Sequence, residues 1–270
     1  MRASDWLGQT TATLTTASID SARLDALILL EDYTGHDRAY LLAHPELEVD
    51  ENALSAAVQR RTGHEPLAYI RGHAEFYGRT FMVNEHVLVP RPESESLIEL
   101  LKRLAPPQAA IADMGTGSGC LAVTAALEVP DVTVAAVDID EACLAVAKQN
   151  AVMHTAQVQL LHGDMLAPFL QKSCNFTPTV LLANLPYVPV NYPINAAAGH
   201  EPALALFAGP DGLDAYRKLF AQLKKLPTAP ALIITEALLT QHDALEALAA
   251  ASGYQLVANE GLAQAFRTIL

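Results

Sequence analysis

The chain has 270 residues, 51% of them hydrophobic, with 30 acidic and 17 basic residues for a net charge of −13. That composition excludes a disordered chain and, since no apolar run is long enough, a bilayer-spanning helix. The acidic balance argues against a broad nucleic-acid surface, because binding phosphates relies on Lys and Arg.

The length allows a main domain plus a smaller one. Residues Met1 to Trp6 lack the uninterrupted apolar segment of a signal peptide, so a cytoplasmic location is expected. Cys120, Cys143 and Cys174 are odd in number, far apart and without CxxC spacing. They read as reduced, buried thiols, and neither a disulfide framework nor a metal site is expected.

Residues 1–73 lack strand patterns. Ile19–Leu30 and Asp50–Arg61 carry apolar residues at helical spacing, the second opened by Asp50 as a cap. A small helical domain is expected there. Residues 74–89 hold β-rich runs split by Gly78 and by Asn84-Glu85, which predicts a hairpin linker. Pro92 suits the first position of a helix, and Glu93 and Glu95 face the positive end of its dipole.

From Ala109 the pattern alternates. Strands are predicted at Ala110–Met114, Thr133–Asp138, Val158–Gly163, Val180–Asn184, Ala231–Glu236, Tyr254–Ala258 and Ala265–Ile269. Helices are predicted at Gly119–Glu128, Glu141–His154, Asp211–Lys225 and Gln241–Ala251. Alternation of this kind implies an α/β fold with a mostly parallel, doubly wound sheet over residues 90–270. The last two strands are too close in sequence for a helical crossover and should pair antiparallel.

The first strand runs into Asp113-Met-Gly115-Thr116-Gly117-Ser118-Gly119, a turn in which glycines let the backbone approach a ligand closely. An acidic residue before such a loop repels a diphosphate but suits a cationic ligand. Asp138 ends the second strand, where a carboxylate can accept both hydroxyls of a ribose. Asp164 ends the third and can reach an adenine amine, with Met165 beside it to pack on the ring. Each aspartate alone is an ordinary turn or cap residue. Together they fit S-adenosylmethionine better than a dinucleotide.

Asn184-Leu185-Pro186-Tyr187 closes the fourth strand, at the strand end where open α/β sheets bind ligands. The Asn184 side-chain oxygen and the Leu185 carbonyl can each accept one N–H of a planar NH2 group, and the Tyr187 ring can stack on it. Two such acceptors would orient an amide nitrogen, and Asn184 is expected to contact the cofactor as well. A turn-forming loop is the plain alternative.

These residues resemble the release-factor glutamine methyltransferases. The matching stretches are Arg61–Gly72, Glu75–Gly78, Val87–Glu95, Asp113–Cys120, Ala136–Asp138, Asn184–Tyr187 and Glu201–Leu213. The resemblance implies a Rossmann-like S-adenosylmethionine-dependent methyltransferase domain behind a helical domain that docks the substrate. It implies methyl transfer to the glutamine amide of the Gly-Gly-Gln motif of class I peptide-chain release factors, with S-adenosylhomocysteine as product. It also implies that Arg91 and Glu93 lie near the substrate. One departure is visible: the family usually has Asn-Pro-Pro-Tyr, and Leu185 replaces the first Pro. Pro186 still pushes Leu185 toward extended geometry, so activity is expected to survive. A ribosomal-protein glutamine, an adenine of a nucleic acid, and a non-catalytic cofactor-binding role remain as alternatives; the net charge disfavours the second.

Overall fold

A computed structural model describes residues 1–269; Leu270, the last residue of the 90–270 region, lies outside the described residues. The chain divides into two compact units, Met1–His73 with Ile194–His200, and Ala74–Pro193 with Glu201–Leu270.

The first unit holds α1 (Ala3–Thr16), α2 (Ala22–Thr34), α3 (Arg38–Ala43), α4 (Glu51–Thr62) and α5 (Leu67–Arg71). The sequence reading passed over α1, whose apolar stripe is thin and whose C-terminal half is rich in threonine. There Thr11, Thr13, Thr15 and Thr16 hydroxyls each donate to the carbonyl four residues back, which reconciles a β-branched run with a helix. Helix α2 starts three residues later than its apolar spacing suggested and ends at Gly35, which has φ +70°. The Asp50 side chain caps α4 by accepting from the Asn52 N–H at 2.9 Å. Trp6, Leu14, Ala26, Leu30, Leu41 and Leu54 form the core. Arg61 donates from Nε to Asp25 at 2.6 Å and from Nη1 to the Glu65 carbonyl at 3.0 Å, and both charged side chains are buried. Removing one partner of such a pair typically costs ~3–5 kcal/mol, so this ion pair ties α4 to α2.

The second unit opens at Ala74, within β1 (His73–Phe76), which pairs with β2 (Arg79–Met82) as a two-stranded sheet. Tyr77 and Gly78 between them have φ of +51° and +69°, the mirror-image turn that two-residue hairpins favour. Phe76 and Phe81 are buried among Leu97, Ile98 and Leu101, so the hairpin is part of this unit's core. A short 3₁₀ turn, Pro92–Ser94, leads into α6 (Glu95–Leu104).

Then come β3 (Ala110–Met114), α7 (Cys120–Glu128), β4 (Thr133–Asp138), α8 (Glu141–Met153), β5 (Val158–His162), β6 (Val180–Ala183), α9 (Ala203–Leu206), α10 (Asp214–Leu223), β7 (Leu232–Glu236), α11 (His242–Ala250), β8 (Tyr254–Glu260) and β9 (Ala263–Thr268). The sheet order is β5-β4-β3-β6-β7-β9-β8. The first five strands in that order are parallel, and β9 runs antiparallel to both β7 and β8. The seven predicted strands are present with ends moved by no more than two residues. Predicted α10 is the largest change: Asp211–Leu213 form its approach rather than its first turn.

Side chains alternate between two cores. Ile111, Val180, Leu182, Leu232 and Ile234 face α6 and α7, while Ala112, Leu181, Ala183 and Ile233 face Tyr216, Leu219 and Leu245 of α10 and α11. Both faces are covered, which is why these strands read as unbroken apolar runs. Strand order reverses between β3 and β6, and a crevice opens at their carboxyl ends.

Candidate active site

The crevice is a cavity of about 470 Å³, a size common for small-molecule sites. Its floor is the turn after β3. Gly115, Gly117 and Gly119 have φ of +67°, +54° and +79°, a region that L side chains avoid. Gly119 also packs against α8: a Cβ there would stand 3.0 Å from the Ala147 Cβ. The Gly115 and Thr116 N–H groups donate to the Val137 carbonyl at 2.9 and 3.0 Å, which stitches the turn to β4.

Asp138 stands at the end of β4 with its side chain nearly buried. Its Oδ2 accepts from the Gly117 N–H at 2.9 Å and its Oδ1 from the Asp140 N–H at 3.0 Å. Burial raises its pKa, and the two N–H groups oppose the rise. Each oxygen keeps a lone pair, so the carboxylate can still accept ribose hydroxyls. Ile139, 52% exposed, adds an apolar wall beside it.

Asp113 sits under the loop rather than in the cavity. It is 1% exposed and accepts from Thr116 Oγ1 at 2.6 Å, while its Oδ1 is buried without a partner. Burial pushes its pKa up to about 7, and nearby Asp138 adds to the rise. Its side chain braces the turn and is not among the residues that line the cavity. Asp164 lines the cavity but forms an ion pair with Lys218 of α10 at 2.5 Å. Met165, at φ +52°, lines the cavity and leans on the core under α10.

The opposite wall is the turn after β6. Asn184 Nδ2 donates to Ser94 Oγ at 2.8 Å, and Asn184, Leu185 and Pro186 line the cavity. Among the described residues nothing donates to Asn184 Oδ1 or to the Leu185 carbonyl. The Leu185 side chain is buried and lies against the glycine turn, 3.2 Å from where a Gly115 Cβ would be. It thus joins the two walls. The Tyr187 hydroxyl donates to Glu236 Oε1 at 2.9 Å, and the Tyr187 carbonyl accepts from Gln241 Nε2 at 2.8 Å. Burial, with Glu236 next, raises the Tyr187 pKa, so the phenol stays protonated. Tyr216, fully buried on α10, donates to the Ala183 carbonyl at 2.9 Å and also bonds the Glu236 backbone, clamping β6 to β7 just below Asn184.

Arg91 lines the cavity and donates to Glu201 Oε1 at 2.6 Å. Glu201 is buried; burial raises its pKa and Arg91 opposes the rise. Asp138, Asp140, Asp164 and Asp214 line the crevice, with Arg91 and Lys218 as counter-charges. That field suits a ligand carrying positive charge.

The chain matches the model of the PrmC N-terminal domain over residues 5–72 and that of the methyltransferase small domain over residues 92–187. It is 40% identical to the release factor glutamine methyltransferase of Koribacter versatilis, over 78% of this chain and 77% of that protein. It is 36% identical to the enzyme of the same name from Coxiella burnetii, over 90% and 88%. The chain belongs to the release factor glutamine methyltransferase family. Among solved structures, the hMettl16 catalytic domain in complex with MAT2A 3′UTR hairpin 1 has a TM-score of 0.56 at 14% identity, covering 89% of each chain. That likeness concerns the fold alone.

As a member of this family the chain is a methyltransferase. Its crevice gathers Gly115, Thr116, Gly117, Ser118, Asp138, Asp164, Met165, Asn184, Leu185, Pro186 and Arg91 on one cavity. Asp113, Gly119, Glu93 and Tyr187 stand outside the lining. Gly119 is the first-turn pivot of α7, and Glu93 is exposed at the start of the 3₁₀ turn. Sequence reasoning gave no role to Ser94, Tyr216, Lys218, Glu236 or Gln241. The one available signal was an acid at the end of an apolar strand, Glu236, in the same position that made Asp138 conspicuous.

Proposed function

We propose that the chain transfers a methyl group from S-adenosylmethionine to the side-chain amide nitrogen of the glutamine in the Gly-Gly-Gln motif of class I release factors. The observation that carries this is the Asn184 carboxamide: its NH2 end is held by Ser94, no donor to its oxygen is present among the described residues, and Asn184 and Leu185 both line the cavity. The residues also fit the cofactor. A glycine turn without side chains, a buried Asp138 with spare lone pairs and the apolar Ile139 match an adenosyl group, and the surrounding carboxylates match a sulfonium.

When bound, S-adenosylmethionine supplies an electrophilic methyl group. The chain's task is then to make a poor nucleophile reactive. The lone pair of an amide nitrogen is delocalised into its carbonyl. Two acceptors gripping both N–H bonds, Asn184 Oδ1 and the Leu185 carbonyl, point that lone pair across the crevice and stabilise the positive charge that develops on nitrogen. The proton leaves after the N–C bond has formed, so no strong base need touch the amide beforehand. Leu185 in place of the family's Pro keeps this carbonyl, and its side chain anchors the turn against Gly115.

The test is labelled S-adenosylmethionine offered with a purified release factor, a ribosomal protein and DNA in parallel, with the label located by peptide mass. Label on the Gly-Gly-Gln glutamine supports the reading. Label confined to the ribosomal protein or to DNA rejects it.

A further inference from the structure

The oxygen and nitrogen ends of a carboxamide have nearly the same shape, and only their hydrogen bonds distinguish them. Asn184 can serve an amide substrate only with its oxygen inward, because its NH2 would meet the substrate's N–H groups donor to donor. Ser94 Oγ, 2.8 Å from Asn184 Nδ2 and 2% exposed, is the contact that sets this orientation. A hydroxyl alone cannot do so. It accepts from NH2 as readily as it donates to C=O, so a flipped Asn184 would find an equally good partner. Ser94 makes the choice only if its single hydroxyl proton is committed elsewhere.

Glu236 is 1% exposed at the end of β7, and in its ionised form it accepts only. Its Oε1 takes the Tyr187 hydroxyl, whereas its Oε2 is buried with no partner in hydrogen-bond geometry. Burial raises its pKa on balance, and hydrogen bonding from Ser94 first, then from Tyr187 and from the Asn184 side chain itself, opposes the rise. A buried, half-satisfied carboxylate is costly, and the neighbouring Ser94 hydroxyl is a donor that can turn to relieve it.

We propose that Glu236, acting through Ser94, fixes which way round the Asn184 carboxamide sits, so that its oxygen faces the substrate amide. The Ser94 proton turns to Glu236, the Ser94 oxygen becomes an acceptor only, and the NH2 of Asn184 is drawn to it. Glu236 and Ser94 are positioning residues: neither touches the reacting atoms. This inference rests on the amide-methylating reading above, and its test separates the two.

The full chain is assayed with a release factor and S-adenosylmethionine. Ser94→Ala is expected to lower kcat roughly 10- to 100-fold while the KM for S-adenosylmethionine stays within about twofold. Ser94→Thr, which keeps the hydroxyl, should recover activity to within about threefold of the parent. In an Asn184→Ala background Ser94→Ala should cost nothing further, since no carboxamide is left to orient. A Ser94→Ala penalty of the same size in both backgrounds, or none in the parent, overturns the inference. A second readout needs no substrate: the side-chain amide signals of Asn184 in the ¹⁵N-labelled chain. They should shift and exchange faster with water in Ser94→Ala and in Glu236→Gln; unchanged signals in folded variants overturn the inference. If the parent fails to label the Gly-Gly-Gln glutamine, the proposed substrate is wrong, and the amide signals still decide the positioning role.

Discussion

After β3 the chain turns through three glycines at positive φ, and the contacts that hold the turn are short or lie on the next strand. Thr116 reaches back three residues to Asp113, and Gly117 reaches 21 residues to Asp138. After β6 the chain turns without glycine, and the contacts that hold it come from far away. Asn184 is held by Ser94 across 90 residues, and Tyr187 by Glu236 across 49 and by Gln241 across 54. The first turn is a property of its own backbone with one neighbouring strand. The second exists only once β7 and the short 3₁₀ turns that lead into α6 and α11 have assembled around it. The cofactor half of the crevice should therefore fail through local strain, and the nucleophile half through loss of distant partners.

The largest effect should follow removal of the group for which the second turn is built. Asn184→Ala is expected to lower kcat/KM by roughly 10²–10³, or ~2.7–4 kcal/mol of transition-state stabilisation, with cofactor affinity changed far less. Steady-state methylation and cofactor titration check this; a kcat/KM within about twofold of the parent would end the orientation role.

On the other side, Asp113 links the first turn to pH. Its folded pKa of about 7 lies above its unfolded value of 3.8. The stability attached to its protonated form is therefore fully present below pH 3.8 and is lost as pH rises through 7. Across that window the parent should lose stability relative to Asp113→Asn, by up to ~4 kcal/mol. Urea unfolding midpoints of the two chains between pH 4 and 8 measure the difference, and parallel pH profiles would contradict it.

Gly119→Ala forces a side chain into the left-handed region and against Ala147. It should destabilise by about 2 kcal/mol and weaken cofactor binding while leaving the Asn184 side-chain amide signals in place. Movement of those signals would show that the two turns are not independent. The smallest effect belongs to Glu93, exposed and outside the cavity lining. Glu93→Gln should raise the KM for a release factor by no more than about fivefold, the scale of an exposed charge. A tenfold or greater loss would place Glu93 directly in substrate contact.

The different construction of the two turns explains what could be read beforehand. The glycine turn and Asp138 stand out in sequence because a backbone at positive φ demands glycine, and because a strand ending in a carboxylate breaks its own apolar pattern. Asn184-Leu185-Pro186-Tyr187 stood out for the same local reason. Ser94 looked like one polar residue in a helix start, and Glu236 like a plain strand end. Asp113 was read as facing a ligand, whereas the loop folds over it and turns it into a brace for Thr116. Asp164 reads as a residue that can reach an adenine amine; it lines the cavity, and α10 also brings Lys218 to it. Neither outcome has a local signature.

The sequence by itself determined the alternation of strands and helices, the parallel sheet with its antiparallel edge, and the placing of polar residues at strand ends, because periodicity and backbone torsion are short-range properties. The tertiary structure alone decided which of those polar groups face the crevice and which serve as support, because hydrogen-bond partners 49 to 90 residues apart meet only when the sheet closes. A carboxamide's orientation depends on such partners and on nothing in its own neighbourhood along the chain.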